Sequence, residues 1–339
     1  MARSGPPRIV LTHWVHDEVL EYLGSHGEVI PNPNRTSLLR QELLERARLA
    51  EALMAFMPDR VDETLLGCCP RLKIVAGAFK GADNVDLETC SRRGIWVSIV
   101  PDLLTGPTAE LAVGLLLSLI RKIVPGDAVV RSAAFSGWRP ILYGGTLQEK
   151  SVGILGMGLL GQAIARRLRG FDVELRYSDP RRLDPERERE LGARHASFEE
   201  LLESSDALIL AAPLTQQTFH KFDRAALATL RPWSVLVNVG RGSVVDEEAV
   251  ADALSRGALG GYASDVFEME DLSRPDRPRG IPEALLQYGE RTVFTPHLGS
   301  AVDATRREIE MVAARNIVDV LEGRRPRDGV NLPVVPVGL

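Results

Sequence analysis

Three polar side chains in the C-terminal half stand directly after runs that read as β-strands. Arg241 lies in Asn238-Val239-Gly240-Arg241-Gly242-Ser243, Glu270 closes Asp265-Val266-Phe267-Glu268-Met269-Glu270, and His297 follows Thr295-Pro296. A guanidinium can grip an anion by two parallel hydrogen bonds, and a histidine steadied by a carboxylate can move a proton near neutral pH. Taken singly, each has a plain reading: an arginine in a turn is usually solvated, a glutamate after a strand usually decorates a loop, and most histidines are neither bases nor ligands. Their shared place just past strand ends joins them, because open α/β sheets bind ligands there. No cluster of His, Cys, Asp and Glu shows metal-ligand spacing, so a metal-free site is expected.

A second group of residues suits a dinucleotide. Gly156-Met157-Gly158-Leu159-Leu160-Gly161 follows the strand-like run 151–155 and opens a helical run to residue 169. There the first glycine permits a tight turn, the second lets the backbone approach a pyrophosphate, and the third lets helix and strand pack closely. Glycine-rich turns are common, but Asp179 ends the next strand-like run at the spacing of an acid that hydrogen-bonds the adenosine ribose. Such an acid repels a 2′-phosphate, so NAD is expected rather than NADP. Arg181 and Arg182 follow at once and would partly offset it, although two solvated charges on a loop is the plainer reading.

These residues need a frame. β-like runs at 8–13, 28–31, 51–57, 72–78 and 96–100 alternate with helical runs at 17–25, 37–48, 61–68 and 87–93, the pattern of a small doubly wound α/β domain. Residues 108–120 are apolar nearly all round, which suits a buried helix linking or clamping two domains. Six further strand candidates follow at 151–155, 173–179, 207–212, 235–239, 261–267 and 292–295, with helical runs 159–169, 198–203 and 247–256 among them. Six strands with this alternation match the two halves of a Rossmann domain. A helical stripe over 306–322 is expected to return to the first domain.

With 339 residues, two domains of ordinary size can each bury a core. A net charge of -5 argues against nucleic acid or an anionic membrane as the main partner, and no run is apolar enough to span a bilayer. Residues 1–7 lack the hydrophobic region of a secretion signal, so a cytoplasmic location is expected. Cys68, Cys69 and Cys90 make neither a CxxC pair nor an even framework, and they read as reduced structural thiols.

Taken in order, the glycine motif, then residues 238–247, then 265–270, then Thr295-Pro296-His297-Leu298-Gly299-Ser300 resemble the D-2-hydroxyacid dehydrogenase family from end to end, with Gly81-Ala82-Asp83-Asn84 as an anchor in the first domain. The resemblance implies a flavodoxin-like substrate domain from residues 1–103 and 299–339 and a Rossmann NAD-binding domain from 104–298. It implies that Arg241 binds the substrate anion, that His297 exchanges the proton and that Glu270 supports His297. It further implies cofactor contacts from Thr108, Pro213, Thr218, Val239, Gly240 and Asp265, beside the glycine turn and Asp179.

Residues 55–62, 79–81, 100–105 and 266–271, with the segment running on to Pro282, resemble the phosphite-oxidising members more closely than the general family pattern, which has Pro where this chain has Asp271. The implied reaction is oxidation of phosphite to phosphate with hydride transfer to NAD. Lys80 carries the physical case, since phosphite near neutral pH is largely a dianion and suits a second cation beside Arg241. A lysine in a loop is otherwise usually just solvated. Gly81, Met57, Leu104, Trp138, Tyr143, Ser300 and Arg306 correspond to pocket residues of those members, while Met57 and Leu104 read equally as plain core. The rival readings are a general 2-hydroxyacid or 2-oxoacid dehydrogenase of the glyoxylate, hydroxypyruvate or phosphoglycerate type, and a dinucleotide-sensing, corepressor-like binding protein. A homodimer is expected from the apolar run 108–120 and from the habit of the family.

Overall fold

The computed structural model describes residues 5–100 and 102–334. Pro101, within one of the phosphite-like stretches, lies outside the described residues. The chain divides into two compact units, Met1–Leu104 with Leu272–Pro275 and Val302–Leu339, and Thr105–Asp271 with Asp276–Ala301. The edges follow the helices: Thr105 opens one helix, and Val302 caps another that carries first-unit core residues Ile309 and Ile317.

In the first unit the strands are β1 (Arg8–Leu11), β2 (Glu28–Ile30), β3 (Ala52–Ala55), β4 (Ile74–Gly77) and β5 (Trp96–Ser98). All pair in parallel, in the order β2-β1-β3-β4-β5, the flavodoxin-like order. Helices cover both faces, so these strands are near-continuous apolar runs rather than alternating ones. Successive side chains still part to opposite faces: Ile9 and Leu11 join Met54, Ile74 and Ile309, while Val10 joins Leu53, Val75 and Leu65.

The second unit holds β6 (Ser151–Leu155), β7 (Glu174–Ser178), β8 (Ala193–His195), β9 (Ala207–Leu210), β10 (Val235–Asn238), β11 (Gly261–Ser264) and β12 (Thr292–Phe294). Its order is β12-β11-β10-β9-β6-β7-β8, again all parallel. Six strands were expected and seven form. β8 is a three-residue edge strand whose Arg194 and His195 are exposed, so it leaves no hydrophobic trace in the sequence.

The helix Thr105–Ile120 buries Ala109, Leu116 and Leu119 against Ile154, Ile164 and Val237 of its own unit. Glu110 and Gly114 on the same helix are exposed, and Leu111, Leu117 and Ile120 are half-buried. Lys122 then adopts a left-handed φ of 56°, and a second helix, Ile123–Arg131, begins with Pro125 in its first turn, where a missing N–H costs nothing. No residue of this second helix is buried, and Ile123, Val124 and Val130 are exposed with Phe135 and Ile141 beyond it. The three cysteines are free, and burial pushes the Cys69 thiol up to about 11 and Cys90 to about 12, which suits inert thiols. Among the described residues no helix is long and apolar enough to cross a membrane, and no group of His, Cys, Asp and Glu could hold a metal ion.

Candidate active site

The strand order of the second unit reverses at β6 and β9, and a ligand crevice belongs at such a point. The chain meets itself there almost backbone to backbone. A Cβ on Gly156 would fall 2.9 Å from the Ala212 backbone, and one on Gly240 would fall 2.5 Å from the Ala212 carbonyl oxygen. Gly156 also has a φ of +89°, a conformation that favours glycine. A Cβ on Gly161 would sit 2.1 Å from the Gly156 oxygen, so only glycine lets the helix Leu159–Leu168 lie this close to the turn. Gly158 differs: nothing in the protein lies within 4 Å of its would-be Cβ. It caps the helix with no side-chain bond, so the first-turn N–H groups stay available to an anion. Tight glycines around one open glycine fit a pyrophosphate. Asp179 is held in place by the N–H groups of Met157 and Arg181, both donating at 2.8 Å.

At β10 to β12 the three predicted residues have distinct supports. His297 Nδ1 lies 2.6 Å from Glu270 Oε2, and Glu270 Oε1 accepts the Phe267 N–H at 2.7 Å. A carboxylate accepting at Nδ1 fixes the proton there and leaves Nε2 for chemistry. His297 itself has a φ of 56°. That uncommon backbone is enforced by Asp265, whose carbonyl takes the His297 N–H at 3.0 Å and whose carboxylate accepts from Thr295 Oγ1, Leu298 N and Gly299 N at 2.6, 2.6 and 2.8 Å. Burial raises the Asp265 carboxyl above the usual range, against these hydrogen bonds. The residue expected to touch cofactor thus spends its carboxylate on the turn that carries His297.

Arg241 follows β10 in extended backbone, half-buried, with Nη1 donating to the Gly240 carbonyl at 2.8 Å. The next residue explains why its turn lies against that of Glu270: a Cβ on Gly242 would land 1.9 Å from the Phe267 carbonyl carbon. Sequence reasoning missed the acids behind this contact. Ser243 N–H donates to Asp271 at 2.7 Å, and Glu247 and Glu268 face one another, both buried. Their signal was present as acids set among apolar residues in 244–247 and 266–271. Asp271, read as a mark of the phosphite-like loop, is a buried acceptor for that turn, and burial raises its carboxyl.

The other predicted residues are dispersed. Thr108 is buried near Gly299, Val239 is buried at the end of β10, and Thr218 Oγ1 donates to the Pro213 carbonyl at 2.6 Å. Ser300 is half-buried on the turn after His297. Trp138 and Tyr143 are 82% and 76% exposed in the single chain. In the first unit, Met57 follows β3, Lys80 and Gly81 follow β4, and Leu104 ends the unit's first segment, all half-buried. Asn84 holds the Met57 carbonyl at 2.7 Å, which favours a packing role for that segment. Arg306 donates to the Ala78 carbonyl at 3.3 Å and lies 5.4 Å from the Phe56 ring centre. Two neighbours there went unnoticed in the sequence. His13 packs its ring 5.1 Å from that of Phe56, and buried Asp59 accepts from the Phe56 N–H at 2.7 Å and from the Thr12 hydroxyl.

A sheet edge shaped for a dinucleotide beside a histidine able to exchange a proton is the arrangement of a dinucleotide-linked oxidoreductase. Residues 113–299 match the family model described as D-isomer specific 2-hydroxyacid dehydrogenase, NAD binding domain, and the chain belongs to that family as an NAD-dependent oxidoreductase. It is 37% identical to the glyoxylate reductase of Thermococcus gammatolerans over 98% of each chain. Among solved structures, a protein from Thermus thermophilus superposes with a TM-score of 0.86 at 35% identity, covering 95% of this chain and 99% of the other. The NADPH-dependent glyoxylate/hydroxypyruvate reductase of Sinorhizobium meliloti, in complex with NADP and malonate, does so with a TM-score of 0.80 at 28% identity, covering 97% and 98%.

Proposed function

We propose that the chain transfers a hydride between NAD and a small oxyanion, and that phosphite is the oxyanion it is built for. The observation that carries the substrate choice is a pair of cations at one sheet edge of the first unit: Lys80 follows β4, and Arg306 donates to the Ala78 carbonyl. A carboxylate substrate brings one negative charge, whereas a dianion rewards additional cations. NAD, held at the glycine turn and by Asp179, supplies the hydride acceptor. His297 Nε2 takes a proton from the water that attacks phosphorus, the P–H bond breaks with its electron pair leaving as hydride, and phosphate is released with the proton on His297. Glu270 steadies the imidazolium that forms. Arg241 is assigned to hold the anion's oxygens.

The relatives named glyoxylate reductase favour a second reading, reduction of glyoxylate or a related 2-oxoacid, and at family level this is the better supported of the two. One spectrophotometric panel separates them: NADH formation with phosphite, D-lactate, D-glycerate and 3-phosphoglycerate, and NADH consumption with glyoxylate. Phosphite is expected to turn over fastest, and Lys80→Ala to raise its KM about 10-fold or more, from a charged hydrogen bond worth roughly 1.5–3 kcal/mol. Faster turnover of glyoxylate establishes the second reading, and no turnover with any of them returns the corepressor-like one.

We also infer a homodimer in the cytoplasm. The free thiols of Cys68, Cys69 and Cys90 suit a reducing compartment. The exposed apolar residues of Ile123–Arg131, with Phe135, Trp138 and Tyr143, offer an apolar face beside the expected one on Thr105–Ile120. Light scattering at micromolar protein is expected to give twice the chain mass, and a monomer mass refutes it.

A further inference from the structure

Behind Arg241 and Glu270 lies a pair of carboxyl groups that the reaction does not use. Glu247 opens the helix Glu247–Ser255, and Glu268 opens the short turn Glu268–Glu270. Glu268 N–H donates to Glu247 Oε1 at 2.8 Å, while Glu247 N–H donates to Glu268 Oε1 at 3.1 Å. Each side chain thus satisfies the other's backbone, and the two residues are only 1% and 7% exposed. The remaining oxygens differ. Glu268 Oε2 lies 2.7 Å from His220 Nε2, whereas Glu247 Oε2 is buried with no hydrogen-bond partner among the described residues. With the Ser243–Asp271 bond and the close approach of Gly242 to Phe267, this clasp joins the turn after Arg241 to the turn that ends in Glu270.

We propose that the reciprocal Glu247–Glu268 clasp is a positioning device that holds Glu270 against His297 and sets the turn of Arg241, so that the working rate depends on the clasp staying closed. The proposal rests on reading Arg241, Glu270 and His297 as the reacting site. Two carboxylates sharing a buried space cannot both ionise cheaply. Glu247, the more buried of the two and the one with an unpartnered oxygen, keeps its proton. The titratable and charged groups facing Glu247 are Glu268, Glu270, Asp271 and Tyr262, with His220 beside Glu268 and Arg241 beside Asp271. Burial, reinforced by the three acids, pushes the Glu247 carboxyl up to about 8. Ionisation above that pH puts a negative charge on the buried, unpartnered side of Glu247 and loosens the clasp.

The test is steady-state kinetics from pH 6 to 9.5 on the parent, Glu247→Gln, Glu268→Gln and Glu270→Gln, using the substrate selected by the panel above, with thermal melts as a check of folding. Glu247→Gln, an amide in place of a protonated acid, is expected to keep kcat within about 3-fold at pH 7 and to hold its rate at pH values where the parent declines. Glu268→Gln is expected to lower kcat about 30-fold with the KM for NAD nearly unchanged. The clasp is overturned if Glu270→Gln is impaired while both clasp variants follow the parent at every pH. Should Glu268→Gln fail to fold, the alkaline limb decides alone, and its persistence in Glu247→Gln overturns the proposal. Parental activity in Glu270→Gln defeats instead the reading of the site itself.

Discussion

Both units are parallel, doubly wound sheets, and both gather polar residues at their C-terminal edges, yet the two edges are built from different materials. At the β6, β9 and β10 ends the second unit presents backbone: Gly156, Ala212 and Gly240 crowd together, and Gly158 alone stands open. At the β1, β3 and β4 ends the first unit presents side chains, with His13, Phe56, Asp59 and Arg306 in mutual contact or hydrogen-bonded to the strand-end backbone, and Lys80 following β4. Backbone serves a ligand that hardly varies, because phosphate oxygens ask only for N–H groups and space. Side chains serve a ligand whose charge and shape must be told from its rivals. On the reading proposed above, the backbone-built edge is generic and the side-chain-built edge carries the individuality of the enzyme.

The sharpest blow to this contrast is at the side chain proposed as the base on the backbone-built edge. His297→Ala is expected to cut kcat by about 10³-fold while NAD binding, followed by NADH fluorescence, stays near parental. Near-normal turnover would assign the base elsewhere. Two glycines separate fold from ligand at the same edge. Gly161→Ala, whose Cβ would meet the Gly156 carbonyl at 2.1 Å, is expected to destabilise the protein by about 1–3 kcal/mol in denaturant melts. Gly158→Ala, with no protein atom in reach, is expected to melt like the parent and to bind NAD about 10-fold or more weakly. Equal melting of the two would erase the distinction between a packing glycine and a ligand-facing one.

Smaller effects sharpen the picture. The parent is expected to prefer NAD, and Asp179→Ala to narrow that preference by about 10-fold in kcat/KM. Equal efficiency of the parent with NADP would count against the role of the acid. The smallest change is in stability. The Glu247 carboxyl sits near 8 in the folded chain against an ordinary 4.5, so between those values the folded chain holds a proton that the unfolded chain has released. Its contribution is full below the lower value and is lost as pH rises through about 8. Melting temperature should fall by a few degrees over this window more than in Glu247→Gln, and identical slopes would remove Glu247 as the cause.

Much of this was legible in the chain because glycine, strand ends and spacing speak for backbone. The turn at Gly156 to Gly161, the order of Arg241, Glu270 and His297, and the parallel sheets all follow from local pattern. What escaped was set by tertiary contact. The edge strand β8 buries almost nothing of its own, and the helix Ile123–Arg131 hides behind a proline that reads as a stop although it sits harmlessly in the first turn. The Glu247–Glu268 clasp joins residues 21 apart, and the His13–Phe56 contact joins more distant ones still. No periodicity announces such pairs, because acids and histidines are usually solvated and only the fold encloses them.

The left-handed backbone at His297 has a further consequence. At most helix and strand positions alanine is more stable than glycine, because glycine loses more freedom on folding. At position 297 that ranking should invert: His297→Gly should be more stable than His297→Ala by about 1 kcal/mol, since only glycine adopts this φ without strain. The proposed base is thus seated where the chain would fold more comfortably without a side chain. Selection for thermal endurance alone would erode the activity, and a screen that rewards heat resistance without assaying turnover should find glycine there.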